Sequence, residues 1–247
     1  MNNSTSNPKK DPMGRAIADY HATGKAAKLR VLSSMFYEDE IPVSTLFRTL
    51  DDMPPLEKEM LRLASGRVLD VGAGAGCHTL ELMKRGLQTV AIDISEPSVQ
   101  VMKERGIDAC LINFFDETFC EKFDTIIMAM NGIGIVGKIE RLPMFFRSVK
   151  RLLAPNGQLL LDSSDLRYLF EEEDGSFTVD LAAGYYGEVD YEMRYKGIKG
   201  ESFDWLYIDF DTLSFYANEA GLLCEKCMDG EHYDYLARLT LSHIHAI

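Results

Sequence analysis

The sequence predicts an α/β protein built on a doubly wound parallel sheet, and three observations carry this prediction. Between residues 66 and 161, short apolar runs alternate with longer segments that have one apolar face. The short runs are apolar throughout, which is typical of strands covered on both faces. Glycines end the longer segments, as they commonly do at helix C-termini. This alternation indicates parallel strands with helices packed on both faces of the sheet.

The elements of this sheet follow in order along the chain. Strands are predicted at 68–71, 89–92, 109–112, 125–130 and 158–161, and helices at 79–85, 97–105 and 139–153. Gly86 and Gly106 end the first two helices, and Ser95 begins the second one. The third helix has a continuous apolar face, which predicts that it packs on the sheet.

The residues before this alternation are predicted to cap the pocket or to contact a partner, and the oligomeric state stays open. Residues 1–12 are polar and contain no apolar run, so we expect a disordered tail. Residues 13–65 are expected to form an N-terminal helical cap, with helices at 13–35 and 56–64. The main domain then spans residues 66–247.

The pattern changes after Asp165, where we predict an inserted antiparallel hairpin at about residues 176–208. Hydrophobic and aromatic side chains alternate there with charged ones, which is typical of paired strands with one apolar face. Two interpretations of this aromatic face stay open. It packs on the sheet, or it forms a lid, since ligands bind beyond the carboxyl ends of parallel strands. A helix at 210–220 and strands at 222–228 and 233–241 are predicted to close the chain.

The composition limits the class of partner. The 247 residues include 26 Lys and Arg against 39 Asp and Glu, a formal net charge of −13. Such a surface repels phosphate backbones, and no dense basic cluster occurs, so neither nucleic acid nor a membrane is an expected partner. No stretch has the roughly 18 apolar residues of a membrane helix, and no secretory signal is present. With an odd number of cysteines, five, these features predict a cytoplasmic protein.

The stretch GRVLDVGAGAGCHTLEL at residues 66–82 joins a strand to a helix through a glycine turn. The dinucleotide-binding fingerprint is G-x-G-x-x-G/A, but counting from Gly72 places Cys77 at the sixth position. The spacing is instead G-x-G-x-G, and Asp70 precedes it by two residues. A carboxylate at that place opposes a pyrophosphate and suits an ammonium group. The turn therefore favours a nucleoside ligand that carries an amino acid.

The end of the next strand supports this interpretation. Asp93 lies 21 residues after Gly72 (93 − 72), where an acid accepts hydrogen bonds from ribose hydroxyls. A helix-capping role is the alternative for this carboxylate, but Ser95 is better placed to cap. We therefore predict that Asp93 binds ribose.

With these residues identified, the chain resembles the class I S-adenosylmethionine-dependent methyltransferases. The resemblance covers residues 66–165 and rests on four stretches in order: VLDVGAGAG, AIDIS, FDTIIMAMNGIG and LLAPNGQLLLD. The stretches DSSDLRYL, WLYID and YDYLARL are similar to an uncharacterised bacterial branch of this family. The resemblance implies a Rossmann-like seven-stranded, mostly parallel sheet of order 3-2-1-4-5-7-6. The last strand is then antiparallel and lies between the fifth and the sixth.

The resemblance also implies the cofactor, S-adenosylmethionine, and the residues that bind it. These are Asp70 near the ammonium group, Gly72, Ala73, Gly74 and Gly76 in the turn around the methionine moiety, Asp93 on the ribose, Ile94 on the adenine, Asn113 and Phe114 at the adenine edge, and Met130 with Asn131 near the methyl group. Asp116 is an alternative polar contact for the adenine. His78 is expected to border the cofactor.

Methyl transfer from a sulfonium is an in-line displacement in which the cofactor carries the activation, so a dedicated base is optional. Five residues near the expected acceptor side are candidates for a catalytic role. They are Asp165, Tyr185, Tyr186, His232 and Tyr233. We favour a structural role for each of them, and the sequence identifies no obligatory catalytic residue.

The chain lacks the motifs of several methyltransferase subclasses. The fourth strand is followed by AMNGIG, without the Asn/Asp-Pro-Pro-aromatic stretch of amino-methylating nucleic-acid enzymes, and no Pro-Cys pair occurs. Met130 and Asn131 stand where metal-dependent catechol-type enzymes have an aspartate. We therefore predict no metal site and a small-molecule acceptor in a pocket roofed by the hairpin. A non-catalytic S-adenosylmethionine-binding module and a nicotinamide-dependent oxidoreductase stay open as alternatives.

Overall fold

The computed structural model describes residues 5–171 and 184–242. Its helices are α1 (Pro12–Thr23), α2 (Pro55–Leu63), α3 (Cys77–Lys84), α4 (Glu96–Glu104), α5 (Leu142–Leu152) and α6 (Phe210–Glu219). Its strands are β1 (Leu29–Leu32), β2 (Asp39–Ile41), β3 (Arg67–Val71), β4 (Gln88–Asp93), β5 (Ala109–Leu111), β6 (Phe123–Met128), β7 (Leu153–Ser164), β8 (Glu188–Tyr195), β9 (Ile198–Lys199), β10 (Phe203–Leu206), β11 (Leu222–Asp229) and β12 (Asp234–Leu241). Short 3₁₀ turns connect several of them. None of the helices in these ranges is long and apolar enough to cross a membrane.

Seven strands form the main sheet in the order β5-β4-β3-β6-β7-β12-β11. Neighbours from β5 to β7 are parallel. The strand β12 pairs antiparallel with both β7 and β11. Numbered within this sheet alone, the order is 3-2-1-4-5-7-6. The predicted α/β class, the doubly wound Rossmann-like sheet and its strand order are therefore confirmed.

Both faces of this sheet are buried, which explains the unbroken apolar runs of its strands. Successive residues point to opposite faces of a strand. In β6, Ile126 packs in the larger core cluster with α5, and Ile127 packs in the cluster beneath α2. Leu159 and Leu160 of β7 divide between the same two clusters. The helices predicted from one-sided apolar patterns thus cover both faces.

A second, antiparallel sheet has the order β10-β8-β1-β2, with β9 paired to β8. It joins the N-terminal region to the predicted hairpin, because Leu29 of β1 lies opposite Tyr195 of β8. The helix predicted over 13–35 is therefore wrong beyond Thr23. Gly24 ends α1 with a φ of +68°, and the following segment pairs with β8 instead of continuing the helix.

The described part of the predicted N-terminal tail contacts the body of the protein. Asp11 is buried; its Oδ2 accepts a hydrogen bond from Ser95 Oγ at 2.6 Å and its Oδ1 accepts one from the main-chain N–H of Gly14 at 2.8 Å. The Ser6 N–H donates to the carbonyl of Ile94. The predicted disorder of residues 1–12 is thus wrong for residues 6–11. Residues 1–4 lie outside the described residues, and the division at residues 65/66 stays a prediction.

The predicted hairpin insertion after the fifth strand is confirmed for its described part. Phe203 of β10 lies opposite Tyr191 of β8, and Trp205 lies opposite Val189. These alternate residues share one face, as the period-two pattern requires. Residues 176–183 of the predicted insertion lie outside the described residues.

Candidate cofactor and acceptor site

A cavity of about 760 Å³ lies at the carboxyl edge of the central parallel strands. The turn after β3, the end of β4 and Met130 after β6 line one half of it. Side chains of the second sheet line the other half. Open parallel sheets bind their ligands at this edge, so the cavity is the candidate functional site.

The glycine turn exposes its backbone to the cavity. Gly72, Ala73 and Gly74 all line it, and the two glycines have φ angles of +69° and +59°. A Cβ atom added at Gly72 would meet nothing within 4 Å. The space beside Gly72 is therefore open to a ligand that approaches the main chain closely.

We expected Gly76 to line the cofactor site, but it does not line this cavity. Its lack of a side chain allows close packing instead. It has a φ of +79°, and a Cβ atom there would lie 2.3 Å from Ile107 Cδ1 and 3.2 Å from Met102 Cγ. The start of α3 therefore approaches the region between α4 and β5 closely only because residue 76 has no side chain.

Asp93 lies at the end of β4 and lines the cavity. The Gly74 N–H donates to its Oδ2 at 2.9 Å, and the Ser95 N–H donates to its Oδ1 at 2.9 Å. Burial raises the pKa of Asp93 to about 6, and these two main-chain donors limit the rise. At neutral pH the carboxylate is ionised, and each oxygen can accept further hydrogen bonds.

Asp70, which ends the apolar run of β3, also lines the cavity and is 2% exposed. Its Oδ2 accepts a hydrogen bond from Thr79 Oγ1 at 2.6 Å, which ties the strand to α3. Burial raises the pKa of Asp70, while the charge of His78 and the Thr79 hydroxyl oppose the shift.

The three residues expected around the adenine, Ile94, Asn113 and Phe114, have three different environments. Ile94 is 45% exposed and lies outside the cavity lining. Asn113 accepts the Phe115 N–H on its Oδ1 at 3.0 Å. The Phe114 side chain is 3% exposed and packs on Phe145 with ring centroids 5.7 Å apart. The Phe114 ring therefore lies in the core beside the loop after β5, and its place at the adenine edge stays a prediction.

Asn131 fixes the turn after β6. Its N–H donates to Asp162 Oδ2 at 2.9 Å, its Nδ2 donates to the Leu206 carbonyl at 3.2 Å, and its Oδ1 accepts from Ser163 Oγ at 2.9 Å. Met130 and Asn131 both have positive φ, at 61° and 57°. The hydrogen bonds of Asn131 therefore hold an uncommon backbone conformation and present Met130 to the cavity.

A buried charged network borders the cofactor half. Arg48 forms an ion pair with Glu57, and His78 Nε2 lies 2.7 Å from Glu57 Oε2. Burial by itself lowers the pKa of His78, but its hydrogen bonds to Cys77 and Glu57 and the nearby Asp70 charge raise it well above the ordinary value. Burial opposes ionisation of Glu57, but its two cationic partners outweigh burial and lower its pKa.

The sequence did not reveal the partners of His78. Arg48 and Glu57 lie in the predicted cap, and no local pattern distinguishes them from surface charges. They line a second cavity of about 700 Å³, and Met130 lines both cavities. This network therefore lies beside the point where the two spaces approach each other.

Two of the candidate catalytic residues, Tyr185 and Tyr186, donate hydrogen bonds to carboxylates. Tyr186 donates to Asp165 Oδ1 at 2.7 Å, and Tyr185 donates to Asp209 Oδ2 at 2.7 Å. Neither Asp165 nor Tyr185 is among the residues that line the cavity, whereas His232 is. Burial raises the pKa of both tyrosines. This arrangement favours structural roles for the two tyrosines and leaves His232 as the candidate in contact with the cavity.

The second sheet supplies an aromatic wall. Tyr191, Phe203, Trp205 and Tyr207 line the cavity from β8, β10 and the residue that follows β10. A Cβ atom at Gly134 would lie 2.0 Å from the Trp205 ring, so the indole rests on the chain after β6. The aromatic face thus packs on the main fold and lines the cavity at once.

The N-terminal strands line the same space, which no pattern in the sequence predicts. Val31 of β1 and Asp39 of β2 border the cavity, as do Phe36, Tyr37 and Glu38 between them. Strands of four and three residues are too short for period-two alternation to stand out. Their partner, β8, is also far away in sequence.

The fold and this site are typical of one class of protein: parallel α/β proteins whose ligand site lies between a glycine turn and an acidic residue at the end of the next strand. The chain belongs to the methyltransferase domain family, whose sequence model matches residues 63–206. The predicted resemblance to class I S-adenosylmethionine-dependent methyltransferases and the predicted cofactor, S-adenosylmethionine, are confirmed at the level of this family.

Individual relatives agree with this membership. A solved S-adenosylmethionine-dependent methyltransferase from Bacteroides fragilis, in complex with S-adenosyl-L-homocysteine, is 57% identical, covers 98% of this chain and 99% of its own, and superposes with a TM-score of 0.93. An uncharacterised methyltransferase of Staphylococcus carnosus is 28% identical over 165 residues, 66% of this chain and 73% of its own. The cypemycin N-terminal methyltransferase of a Streptomyces species is 32% identical over 102 residues, 40% of this chain and 42% of its own length.

Proposed function

We propose that this protein transfers a methyl group from S-adenosylmethionine to a small-molecule acceptor by in-line displacement without a metal ion. One observation carries the proposal: a single cavity of about 760 Å³ extends from the glycine turn and Asp93 to the aromatic wall. A donor bound at the turn and an acceptor bound at the wall would share one space, as direct transfer between them requires.

The residues of the cofactor half fit the parts of this cofactor. Asp93 would accept hydrogen bonds from the ribose hydroxyls, and the open backbone at Gly72 leaves room for the methionine moiety. Asp70 would attract its ammonium group. A protonated His78 and Arg48 outnumber Glu57 by one positive charge, which suits the methionine carboxylate. The B. fragilis relative, solved with S-adenosyl-L-homocysteine, supports the same ligand here.

The cofactor, when bound, supplies a methyl group activated by its sulfonium charge. The chain itself then has to align the acceptor and exclude water, which is how proteins accelerate such a displacement. Met130 would stand beside the methyl group because the Asn131 hydrogen bonds fix its turn. His232 is the lining residue that could accept a proton where the acceptor has to lose one.

The acceptor and the compartment are further parts of the proposal. The cavity takes a small molecule, and the net charge of −13 opposes a nucleic-acid substrate. The reaction is proposed to occur in the cytoplasm, which agrees with the unpaired state of all five cysteines.

Calorimetry with S-adenosylmethionine, S-adenosylhomocysteine and NAD tests the cofactor. We expect both sulfur nucleosides to bind and NAD to fail; binding of NAD alone would refute the proposal and support the oxidoreductase alternative.

Mass spectrometry of small-molecule extracts incubated with methyl-labelled cofactor then tests the transfer, with Asp93→Ala as the inactive control. Cofactor binding without any labelled product across a wide screen would instead support the non-catalytic binding module. Activity that disappears with EDTA would contradict the metal-independent mechanism.

A further inference from the structure

Apart from two histidines, the charged side chains that line the cavity are all carboxylates. Among the described residues, four carboxylates line it and no Lys or Arg does; they are Glu38, Asp39, Asp70 and Asp93. The last two lie in the cofactor half, where main-chain or hydroxyl donors satisfy them. The acceptor half therefore holds Glu38 and Asp39 as its charged groups.

These two carboxylates differ in their partners. Glu38 forms a two-point ion pair with Arg30, which neutralises it. Asp39 accepts a hydrogen bond from the Glu40 N–H at 2.7 Å and has no ion pair within the described part of the chain. Asp39 is exposed and lies at the cavity. It is thus a carboxylate charge that a bound ligand could neutralise.

Aromatic groups line the cavity together with this charge. The hydroxyls of Tyr191 and Tyr207 lie 3.0 Å apart, and the Phe203 ring centroid is 6.2 Å from that of Tyr191 and 6.0 Å from that of Trp205. Burial raises the pKa of both tyrosines, and the Asp39 carboxylate adds to each shift, which places that charge near both hydroxyls. Ring faces combined with a carboxylate are the groups that proteins use to bind organic cations.

We propose, on the basis of the methyl transfer proposed above, that the acceptor is a basic amine whose nitrogen receives the methyl group. Asp39 faces its ammonium charge, and the wall formed by Tyr191, Phe203 and Trp205 covers its carbon skeleton. A carboxylate or phosphate acceptor would instead meet carboxylates and no described Lys or Arg in this cavity, which opposes its binding.

Atoms, electrons and charge balance in the methyl transfer to such an amine. The ammonium group loses one proton, which passes to His232 or directly to water, and the freed lone pair attacks the methyl carbon. A nitrogen–carbon bond forms while the carbon–sulfur bond breaks, and the sulfur keeps the electron pair. The products are the methylated ammonium ion, neutral-sulfur S-adenosylhomocysteine and the released proton. A phenol would fit the rings equally well, but no Lys or Arg among the described lining residues would stabilise its phenolate.

The test compares three probes of one shape on protein saturated with S-adenosylhomocysteine: 2-phenylethylamine, 2-phenylethanol and phenylacetate. We expect ligand-observed NMR titrations to show that the amine binds more tightly than either analogue, by up to about fivefold, as about 1 kcal/mol for one exposed ion pair implies. Asp39→Asn should remove this preference. Glu40→Gln is the matched control, because Glu40 is the middle residue of β2, on the face opposite Asp39 and outside the cavity lining, and pairs with Lys28. This variant should keep the preference.

The outcomes separate this inference from the proposed function. If S-adenosylhomocysteine binds but the amine binds no more tightly than its analogues, the amine acceptor is refuted and the methyltransferase proposal stands. An unchanged preference in Asp39→Asn refutes it as well. An O-methylated or C-methylated product in the extract screen does the same, whereas an N-methylated product supports it. If S-adenosylhomocysteine fails to bind, the proposed function itself is refuted.

Discussion

Gly74 and Asp93 are joined by a hydrogen bond of 2.9 Å from the Gly74 N–H to Asp93 Oδ2. This bond links the glycine turn after β3 to the end of β4, so two sequence motifs 19 residues apart form one structural unit. The Ser95 N–H holds the other oxygen. The carboxylate is therefore positioned before any ligand arrives, which lowers the entropic cost of binding a ribose.

Asp93→Asn should weaken S-adenosylhomocysteine binding by about tenfold or more. An amide has one acceptor oxygen, so it cannot satisfy both the Gly74 and Ser95 donors and also accept from the ribose, and hydrogen bonds to a charged group are worth roughly 1.5–3 kcal/mol. Calorimetry at pH 8 measures the loss. Glu96→Gln, three residues further on at the start of α4, is the control and should bind as the native protein does. Unchanged affinity in Asp93→Asn would show that this carboxylate does not bind the nucleoside.

The same contact predicts a pH dependence of cofactor binding. Burial raises the pKa of Asp93 to about 6, so the accepting carboxylate is present above this pH and is lost by protonation below it. Affinity for S-adenosylhomocysteine should therefore fall by about tenfold between pH 8 and pH 5. Asp162, whose pKa burial raises to about 7, titrates nearby. Asp162→Asn should keep the fall while Asp93→Asn should abolish it, and the reverse pattern would assign the titration to Asp162.

Gly76 and Gly86 allow packing to be separated from backbone strain. Both have φ near +80°, at +79° and +81°, but a Cβ atom at Gly76 would lie 2.3 Å from Ile107 Cδ1, whereas one at Gly86 would meet nothing within 4 Å. Gly86→Ala should lower the free energy of unfolding by about 1 kcal/mol through strain alone. Gly76→Ala should lower it by about 3 kcal/mol, because overpacking adds to the strain. Urea denaturation measures both, and equal losses would contradict the packing role of Gly76.

The cofactor half could be predicted from the sequence because its chemistry is local. Asp70, Gly72 and Asp93 lie at strand ends that apolar runs and glycines mark, and parallel strand ends meet at one edge of the sheet. The adenine edge was harder to predict, because Phe114 turns into the core in the loop after β5 and no periodicity specifies which side chain of a loop does so. The acceptor half depends on pairing between β1 and β8, as Leu29 opposite Tyr195 shows. Pairing over such a distance is decided by tertiary contacts that short strands do not reveal.

Asn131 should be the residue of the β6 turn that tolerates substitution least. Asn131→Gly keeps access to the φ of +57° but loses the side-chain bonds to Leu206 and Ser163; we expect a loss of about 2 kcal/mol of unfolding free energy. Asn131→Ala loses the same bonds and adds about 1 kcal/mol of backbone strain. Thermal and urea unfolding of the two variants measure the difference. An alanine variant as stable as the native protein would show that the turn is not held by this side chain.

The network of Arg48, Glu57 and His78 predicts a pH-dependent stability. Glu57→Gln leaves two buried cations without their shared carboxylate, and breaking a buried pair in this way costs about 3 kcal/mol. Glu59→Gln is the matched control on the same helix. Its partner Arg62 has a side chain that is 66% exposed, so the change should be within about 1 kcal/mol.

The sign of the pH dependence follows from the pKa shifts of Glu57 and His78. The pKa of Glu57 is lowered from 4.5, so its contribution is complete above pH 4.5 and is lost as the pH falls through the lowered value. The pKa of His78 is raised from 6.5, so its contribution is complete below pH 6.5 and is lost as the pH rises through the raised value. The stability difference between the native protein and Glu57→Gln should therefore be largest between pH 4.5 and 6.5. Urea denaturation at pH 5.5 and pH 9.5 measures it, and a difference that does not decline toward alkaline pH would contradict an ion pair between His78 and Glu57.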